Sequence, residues 1–102
     1  MVYTAAIWNV KPGREDEFLN LWQSLGERTR ETFPRASGTL LRDRDRPQRF
    51  LSFGPWDSIA QVEEWRSSPA FQETIRRLQD VLESFEAATW DVAARAGESA
   101  LT

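Results

Sequence analysis

Phe53-Gly-Pro-Trp-Asp-Ser-Ile-Ala-Gln-Val-Glu-Glu-Trp-Arg-Ser-Ser-Pro-Ala-Phe71 contains, in order, the end of a strand and the starts of two helices. Ser58, with Gln61 three positions later, forms a capping box, the pattern that satisfies the free amide groups of a helix start. Ser68-Pro69 gives a second start signal, a capping serine before a proline suited to the first helical turn. The segment therefore predicts a short helix followed at once by another. The apolar positions that the first helix is predicted to bury are Ile59, Val62 and Trp65.

The rest of the chain supplies four strands and one more helix. Residue alternation and helical spacing predict elements over 2–10, about 15–32, 39–44, 49–54, 58–85 with a break before 69, and 87–95. This βαββαβ order predicts a ferredoxin-like α+β protomer, with a four-stranded antiparallel sheet and helices on one face. Residues 1–96 are predicted to form one domain and 97–102 a flexible C-terminal tail.

The first predicted strand is apolar on both faces. Ala6 and Trp8 lie on one face, and Tyr3 and Ile7 lie on the other. A half-exposed antiparallel strand would show one polar face, so both faces of this strand are expected to be covered. Helices account for one face. A second copy of the chain is the expected cover for the other, which predicts a homodimer through the sheet face.

Composition narrows the range of functions. The 102 residues include no cysteine and no histidine, which removes thiolate nucleophiles, imidazole bases and the usual zinc and haem ligands. We therefore expect no metal and no cofactor. The net charge is −3 and there is a single lysine, so nucleic acid is not an expected partner. No apolar stretch is long enough to span a membrane and no secretion signal is visible, so a cytoplasmic location is expected.

Two sequence motifs resemble those of a known family. Val10-Lys-Pro-Gly-Arg-Glu-Asp-Glu-Phe18 and the segment quoted above are similar to the V-x-P-G-x-E-x-E-F and W-D-S…W-x-x-S-P-x-F runs of the antibiotic biosynthesis monooxygenase family. That family belongs to the dimeric α+β barrel superfamily. Its members include cofactor-independent oxygenases of aromatic polyketides, quinol oxygenases and haem-degrading enzymes. The resemblance covers roughly Val2 to Arg95 and implies the fold more strongly than the reaction.

The resemblance also argues against haem degradation. Trp65 matches the signature tryptophan that lines the pocket in the haem-degrading branch, although its spacing from Ile59 and Val62 equally fits an ordinary core ring. The haem-ligating histidine of that branch corresponds to Ile75 here, and its catalytic asparagine corresponds to Ala6. Both functional groups are missing.

The resemblance then implies oxidation of a small aromatic compound of polyketide or quinol type without a cofactor. Such chemistry needs apolar walls that exclude water and a few polar groups that orient the ring. Strand parity places Trp8 on the same face as Ala6, toward the pocket, and Asn9 on the interface face. The candidate pocket-lining residues are Trp8, Trp22, Phe50, Ser52, Trp65, Phe71 and Ile75.

Two further points stay open at the sequence level. The charged hairpin tip that runs from Arg42 to Arg49 fits a solvated loop, or a pocket mouth where these two arginines attract a carboxylate or phenolate. No acidic residue lies clearly on an apolar face, so no general base and no catalytic residue is identified. A non-catalytic ligand-binding or accessory protein of a biosynthetic pathway is therefore an alternative, as is an isomerase or cyclase on the same fold.

Overall fold

The computed structural model of the chain describes residues 1–97. Its elements, in chain order, are β1 (Val2–Val10), α1 (Glu15–Thr32), β2 (Thr39–Arg42), β3 (Arg49–Trp56), α2 (Ile59–Arg66), α3 (Pro69–Val81) and β4 (Leu82–Asp91). The strands form one antiparallel sheet in the order β2-β3-β1-β4. This arrangement confirms the predicted ferredoxin-like α+β fold.

Strand β1 lies at the centre of the sheet and separates its two faces. Trp8 pairs with Phe50 on β3 and with Phe85 on β4, so these three side chains lie on the same face. That face is the inner one, because Trp8 packs in a buried cluster with Phe18 of α1 and Leu78 of α3. The core therefore lies between the sheet and the helical layer.

The opposite face of the sheet, which we call the outer face, carries exposed apolar side chains. Leu51 pairs with Ile7 on one side and with Leu41 on the other, which puts all three on this face. Phe53 and Trp90 belong to it by the same register. Leu41, Leu51, Phe53 and Trp90 are between 39 % and 58 % exposed, a large apolar area for the surface of a small domain.

The helix starts have the predicted capping bonds. The Ser58 hydroxyl accepts a hydrogen bond from the Gln61 amide at 3.1 Å, and the Gln61 side chain accepts one from the Asp57 amide at 3.1 Å. Ser68 accepts from the Phe71 amide at 3.3 Å and also donates to the Trp65 carbonyl at 2.6 Å. Ser68 therefore ends one helix and begins the next, which fixes the break between α2 and α3.

Several predicted boundaries were wrong, most clearly at the last strand. Helix α3 ends at Val81 and β4 starts at Leu82, whereas helical spacing had predicted a helix up to Phe85. The apolar positions Leu78, Leu82 and Phe85 fit a helix, but pairing with β1 places Leu82 opposite Val10 and Phe85 opposite Trp8. Hydrogen-bonded pairing with the central strand β1 therefore outweighs the helical spacing of these apolar residues.

Ile59 is a second correction. Its side chain was predicted to be buried with Val62, but it is 53 % exposed while Val62 is 1 % exposed. Ile59 is the first residue of α2, and helical side chains tilt toward the N-terminus, so its side chain extends past the covered part of the sheet. Smaller differences are that β2 ends at Arg42 and that β3 continues to Trp56.

The prediction of a single domain over 1–96 with a tail over 97–102 stays a prediction, since residues 98–102 lie outside the described part of the chain. Across residues 1–97, none of the helices combines the length and the apolar character needed to cross a membrane.

Candidate functional site

A cavity of about 840 Å³ lies between the inner face of the sheet and the three helices. Its volume falls in the range of sites that hold small organic ligands. Exposed residues such as Gln23 and Glu27 lie on its border, so the cavity opens to solvent beside α1. Six of the candidate pocket residues line it, namely Trp8, Trp22, Ser52, Trp65, Phe71 and Ile75.

Phe50 does not line the cavity. Its ring is only 2 % exposed and lies 4.9 Å from that of Phe18, within the core. Phe50 faces the helical layer as expected of a pocket residue, but α1 covers it with Phe18. Phe50 therefore supports the cavity from the core and does not form part of its surface.

Three indole N–H groups around the cavity each donate a hydrogen bond to a side-chain hydroxyl. Buried indole donors usually find an acceptor, and here each acceptor comes from a different element of the chain. Because an accepting hydroxyl keeps its own proton, it remains able to donate to a bound molecule. The pairs are Trp8 with Ser52 at 2.9 Å, Trp56 with Thr4 at 3.2 Å and Trp65 with Thr29 at 2.9 Å.

Aromatic contacts connect these pairs into continuous walls. The Trp65 ring lies 4.9 Å from Trp56 and 4.6 Å from Phe71, the latter in an edge-to-face arrangement. On the other side, Trp8 stacks on Phe85 with ring centroids 5.3 Å apart and planes 17° apart. Rings held by packing and by a hydrogen bond keep the cavity shaped for a flat ligand.

The rim of the cavity is charged. Arg30 of α1, Arg35 of the loop after α1 and Arg66 at the end of α2 border it, together with one carboxylate, Glu27. Arg35 lies 3.8 Å from Asp57, and both side chains are largely exposed. The rim is therefore more basic than the chain as a whole, whose net charge is −3.

The two arginines proposed from the sequence as mouth residues lie elsewhere. Arg42 and Arg49 are absent from the cavity lining and belong to the hairpin tip. Arg42 donates to the Pro47 carbonyl at 2.8 Å and lies over the Phe50 ring, while Arg49 pairs with Asp43 at 3.2 Å. Both guanidinium groups therefore hold the hairpin together.

Backbone geometry at Gly54 brings the basic loop up to the cavity. A Cβ at this position would clash with the Ser37 carbonyl oxygen, and it would come within 3.1 Å of the Gly38 Cα. Only glycine allows the 37–38 segment to lie this close to β3. A Cβ added at Gly38 would lie 3.7 Å from the Trp22 ring, so the segment that Gly54 admits also borders α1 beside the cavity.

Several lining residues were not found from the sequence. Thr4 shares the parity of Ala6 and Trp8, and Thr29 follows Leu25 on the apolar face of α1, so a search for polar groups on buried faces would have found both. Phe85 was missed because it was assigned to a helix. The lining residues absent from the sequence-based set include Thr4, Glu27, Thr29, Arg30, Arg35, Trp56, Arg66 and Phe85.

No group of three acidic side chains within residues 1–97 is close enough to hold a metal ion. The polar side chains available to a ligand in the cavity are therefore hydroxyls inside and charged groups at the rim. Such a site can bind a flat, largely apolar molecule, donate hydrogen bonds to its oxygens and place an anionic substituent near guanidinium groups.

Comparison with solved structures shows the same fold in several proteins. A crystal structure described as an antibiotic biosynthesis monooxygenase aligns with a TM-score of 0.80 at 21% identity, covering 92% of this chain and 100% of that chain. Rv0793 from Mycobacterium tuberculosis gives 0.79 at 17% identity over 94% and 98% of the two chains. SnoaB from Streptomyces nogalater, described as a cofactor-independent oxygenase, gives 0.77 at 20% identity over 95% and 97%.

No curated protein matches the chain. The family model described as Antibiotic biosynthesis monooxygenase matches residues 1–77, which includes both sequence motifs and every element up to the middle of α3. The match and the shared fold agree with the resemblance seen in the two motifs. The chain belongs to the antibiotic biosynthesis monooxygenase family.

Proposed function

We propose that this protein oxidises a small aromatic compound of polyketide or quinol type in the cavity, using dioxygen and no cofactor. Family membership supports a monooxygenase role, and the fold is shared with SnoaB, itself described as a cofactor-independent oxygenase. The observation that carries the proposal is the Trp8–Ser52 hydrogen bond, which holds a hydroxyl donor inside a cavity walled by aromatic rings.

In the proposed reaction the substrate supplies the electrons. An electron-rich phenol loses its proton, and the anion passes one electron to dioxygen. The two radicals combine to a peroxide anion, which takes a proton back from solvent. The resulting hydroperoxide, on a carbon that carries hydrogen, loses water and leaves a new carbonyl group. One oxygen atom enters the product and the other leaves as water. The protein excludes bulk water and stabilises the anionic oxygen with hydroxyl donors placed in advance.

Ser52 is the proposed donor to that anionic oxygen. Its oxygen is occupied by the Trp8 indole, which leaves the hydroxyl proton free to face the ligand. The Thr4 hydroxyl likewise accepts a hydrogen bond from the Trp56 indole and keeps its own proton. A phenol bound with its oxygen against either hydroxyl would be more acidic than in an apolar cavity without donors, because hydrogen bonds to the charged form lower a pKa.

The cavity contributes few groups that could remove the proton. Within residues 1–97, Glu27 is the single carboxylate that lines it, and Glu27 is exposed at the rim. We propose that solvent base at the open side takes the proton. Under this mechanism the rate should rise with pH through the pKa of the bound substrate, and Glu27→Gln should preserve that profile.

We also propose that the protein works as a homodimer through the outer face. Leu41, Leu51, Phe53 and Trp90 form the exposed apolar area described above, and a second copy would cover it. Covering this face would turn each sheet into an internal layer. The dimer would have the α+β barrel arrangement that the sequence resemblance implies.

Dioxygen uptake tests the proposal. Purified protein freed of metals with a chelator is incubated with anthrone-like phenols and quinols while dioxygen and product are recorded. Uptake of one dioxygen per product, reduced by Ser52→Ala, is the expected result. Uptake that depends on added metal, or no uptake with any of these substrates, would contradict the oxygenase assignment.

A ligand-binding or accessory role is the second candidate. The exposed position of Glu27 favours it, because among the residues that the structure describes no side chain inside the cavity is suited to proton removal. Tight binding of the same aromatic compounds without uptake or a change in the compound would support this role.

A further inference from the structure

The rim of the cavity is basic, whereas the chain as a whole carries a net negative charge. Three guanidinium groups and one carboxylate border an opening into an apolar cavity, although acidic residues outnumber basic ones in the chain as a whole. Arg66 of α2 is distant in sequence from Arg30 of α1 and from Arg35 of the following loop. Their convergence is a property of the folded chain.

The arginines differ in how far their charge is already balanced. Arg35 lies 3.8 Å from Asp57, a loose and exposed pair. Neither Arg30 nor Arg66 forms an ion pair with a carboxylate in the part of the chain that the structure describes. By contrast Arg28, beside Arg30 on α1, is paired with Glu73 of α3 at 3.1 Å. Among the described residues of the rim, Arg30 and Arg66 are therefore the guanidinium groups that have no ion-pair partner.

Arg66 is held in place where α2 meets α3. The Gln72 side chain donates a hydrogen bond to the backbone carbonyl of Arg66 at 2.6 Å, and Arg66 is only partly exposed. The preceding residue is Trp65, whose indole is tied to Thr29 on α1, the helix that carries Arg30. The Trp65–Thr29 hydrogen bond in the wall therefore joins the two residues that directly precede Arg66 and Arg30 of the rim.

From this arrangement we propose that the ligand of the cavity is an aromatic compound with a carboxylate substituent. This inference rests on the proposed function and narrows its substrate class. The guanidinium fork matches the geometry of a carboxylate, and a cleft with apolar walls concentrates the field of charges at its opening. The ligand packs its rings against Trp22, Trp65 and Phe71, directs a phenol or carbonyl oxygen to Ser52, and leaves its carboxylate near Arg30 and Arg66.

A pair of probes that differ only in charge tests the inference. Anthraquinone-2-carboxylate and its neutral carboxamide have the same rings, and calorimetric titration measures their affinity without turnover. We expect the carboxylate to bind about tenfold more tightly at low salt. Because the groups at the rim are exposed, high salt should remove most of this preference.

The Arg30→Gln/Arg66→Gln variant should lose the preference while binding the carboxamide as the unaltered protein does. Its matched control is Arg76→Gln/Arg77→Gln on α3, which removes the same charge from residues that do not line the cavity, and which should keep the preference. Equal affinity for the two probes, a preference that survives in the rim variant, or no binding of the carboxylate would overturn the inference.

The same titration separates this inference from the proposed reaction. A charge-dependent preference in a protein that consumes no dioxygen would retain the inference and remove the oxygenase. Equal dioxygen consumption with neutral and anionic substrates would remove the inference and retain the oxygenase.

Discussion

The indole Nε1 of Trp65 donates a 2.9 Å hydrogen bond to the hydroxyl of Thr29, and this bond joins α2 to α1 across the cavity wall. Thr29 is buried although polar, and the bond accounts for its position. Trp65 also contacts Trp56 and Phe71 through its ring. The orientation of the tryptophan that the family motif marks is therefore set by packing on two sides and by one polar contact.

Replacing Thr29 by valine keeps the shape of the side chain and removes the acceptor. The Trp65 indole is then left without its partner, so we expect the free energy of unfolding to fall by about 1–2 kcal/mol, measured by urea denaturation. Thr32→Val, at the exposed end of the same helix, should change it little. Equal stability of the two variants would show that solvent satisfies the indole.

Ser52→Ala removes both the acceptor of the Trp8 indole and the hydroxyl donor inside the cavity. We expect kcat/KM for dioxygen-dependent oxidation to fall by about tenfold, equivalent to one hydrogen bond to a developing charge. The control is Ser24→Ala on the exposed side of α1, outside the cavity lining. Unchanged kinetics in Ser52→Ala would remove Ser52 from the mechanism.

Gly54 and Gly26 should respond to alanine in opposite ways. At Gly54 the added methyl group meets the Ser37 carbonyl, so we expect a loss of about 2 kcal/mol in stability as the loop is displaced. At Gly26, inside α1, nothing lies within 4 Å of the added Cβ, and we expect a gain of about 1 kcal/mol from helix propensity. Thermal unfolding of the two variants measures the contrast, and destabilisation of both would contradict it.

Leu51→Glu should dissociate the proposed dimer. Leu51 lies between Ile7 and Leu41 on the outer face, and a carboxylate buried there without a partner would oppose association. Sedimentation velocity should show a monomer for this variant and a dimer for the unaltered protein. Ile59→Glu replaces a similarly exposed apolar residue on α2 and should remain dimeric. Dimers in both variants would place the interface elsewhere.

Acid should weaken the hairpin tip through Asp43. Its pKa is lowered chiefly by the backbone N–H of Asp45, and also by the Arg49 side chain and the backbone N–H of Arg46. A lowered folded-state pKa means that this carboxylate stabilises the fold above its unfolded-state pKa, and that this stabilisation is lost as the pH falls below about 4.

Asp43→Asn should therefore lower the Tm at about pH 7, and this difference should shrink as the pH is lowered from about 4 toward about 2.5, where the carboxyl group of the unfolded chain is protonated. Asp45→Asn removes a charge from the same tip, and within residues 1–97 its side chain makes no hydrogen bond, so its effect should be smaller. A constant difference between Asp43→Asn and the unaltered protein across this range would exclude the ionised carboxyl group as its cause.

The candidate site was only partly visible in the sequence. Parity along β1 identified Trp8 as a residue of the inner face, and helical spacing together with the family motif indicated Trp65. Neither these signals nor the aromatic character for which Phe50 was included distinguishes a residue that borders a cavity from one behind it. The same signals carry no information about Arg30 and Arg66, since exposed positions on a helix follow no apolar period.

Features that depend on a few neighbouring residues were readable from the chain alone. The serine caps at Ser58 and Ser68, the end of α1 before Pro34 and the doubly apolar β1 each express the chemistry of adjacent side chains, and together they led to the fold. The start of β4, the burial of Phe50 and the placement of Arg30 and Arg66 on the border of one cavity came from the register of β1 with its neighbours and from helix packing. Contacts between residues far apart in the chain add up only when the whole sheet forms, so no short window of sequence contains them.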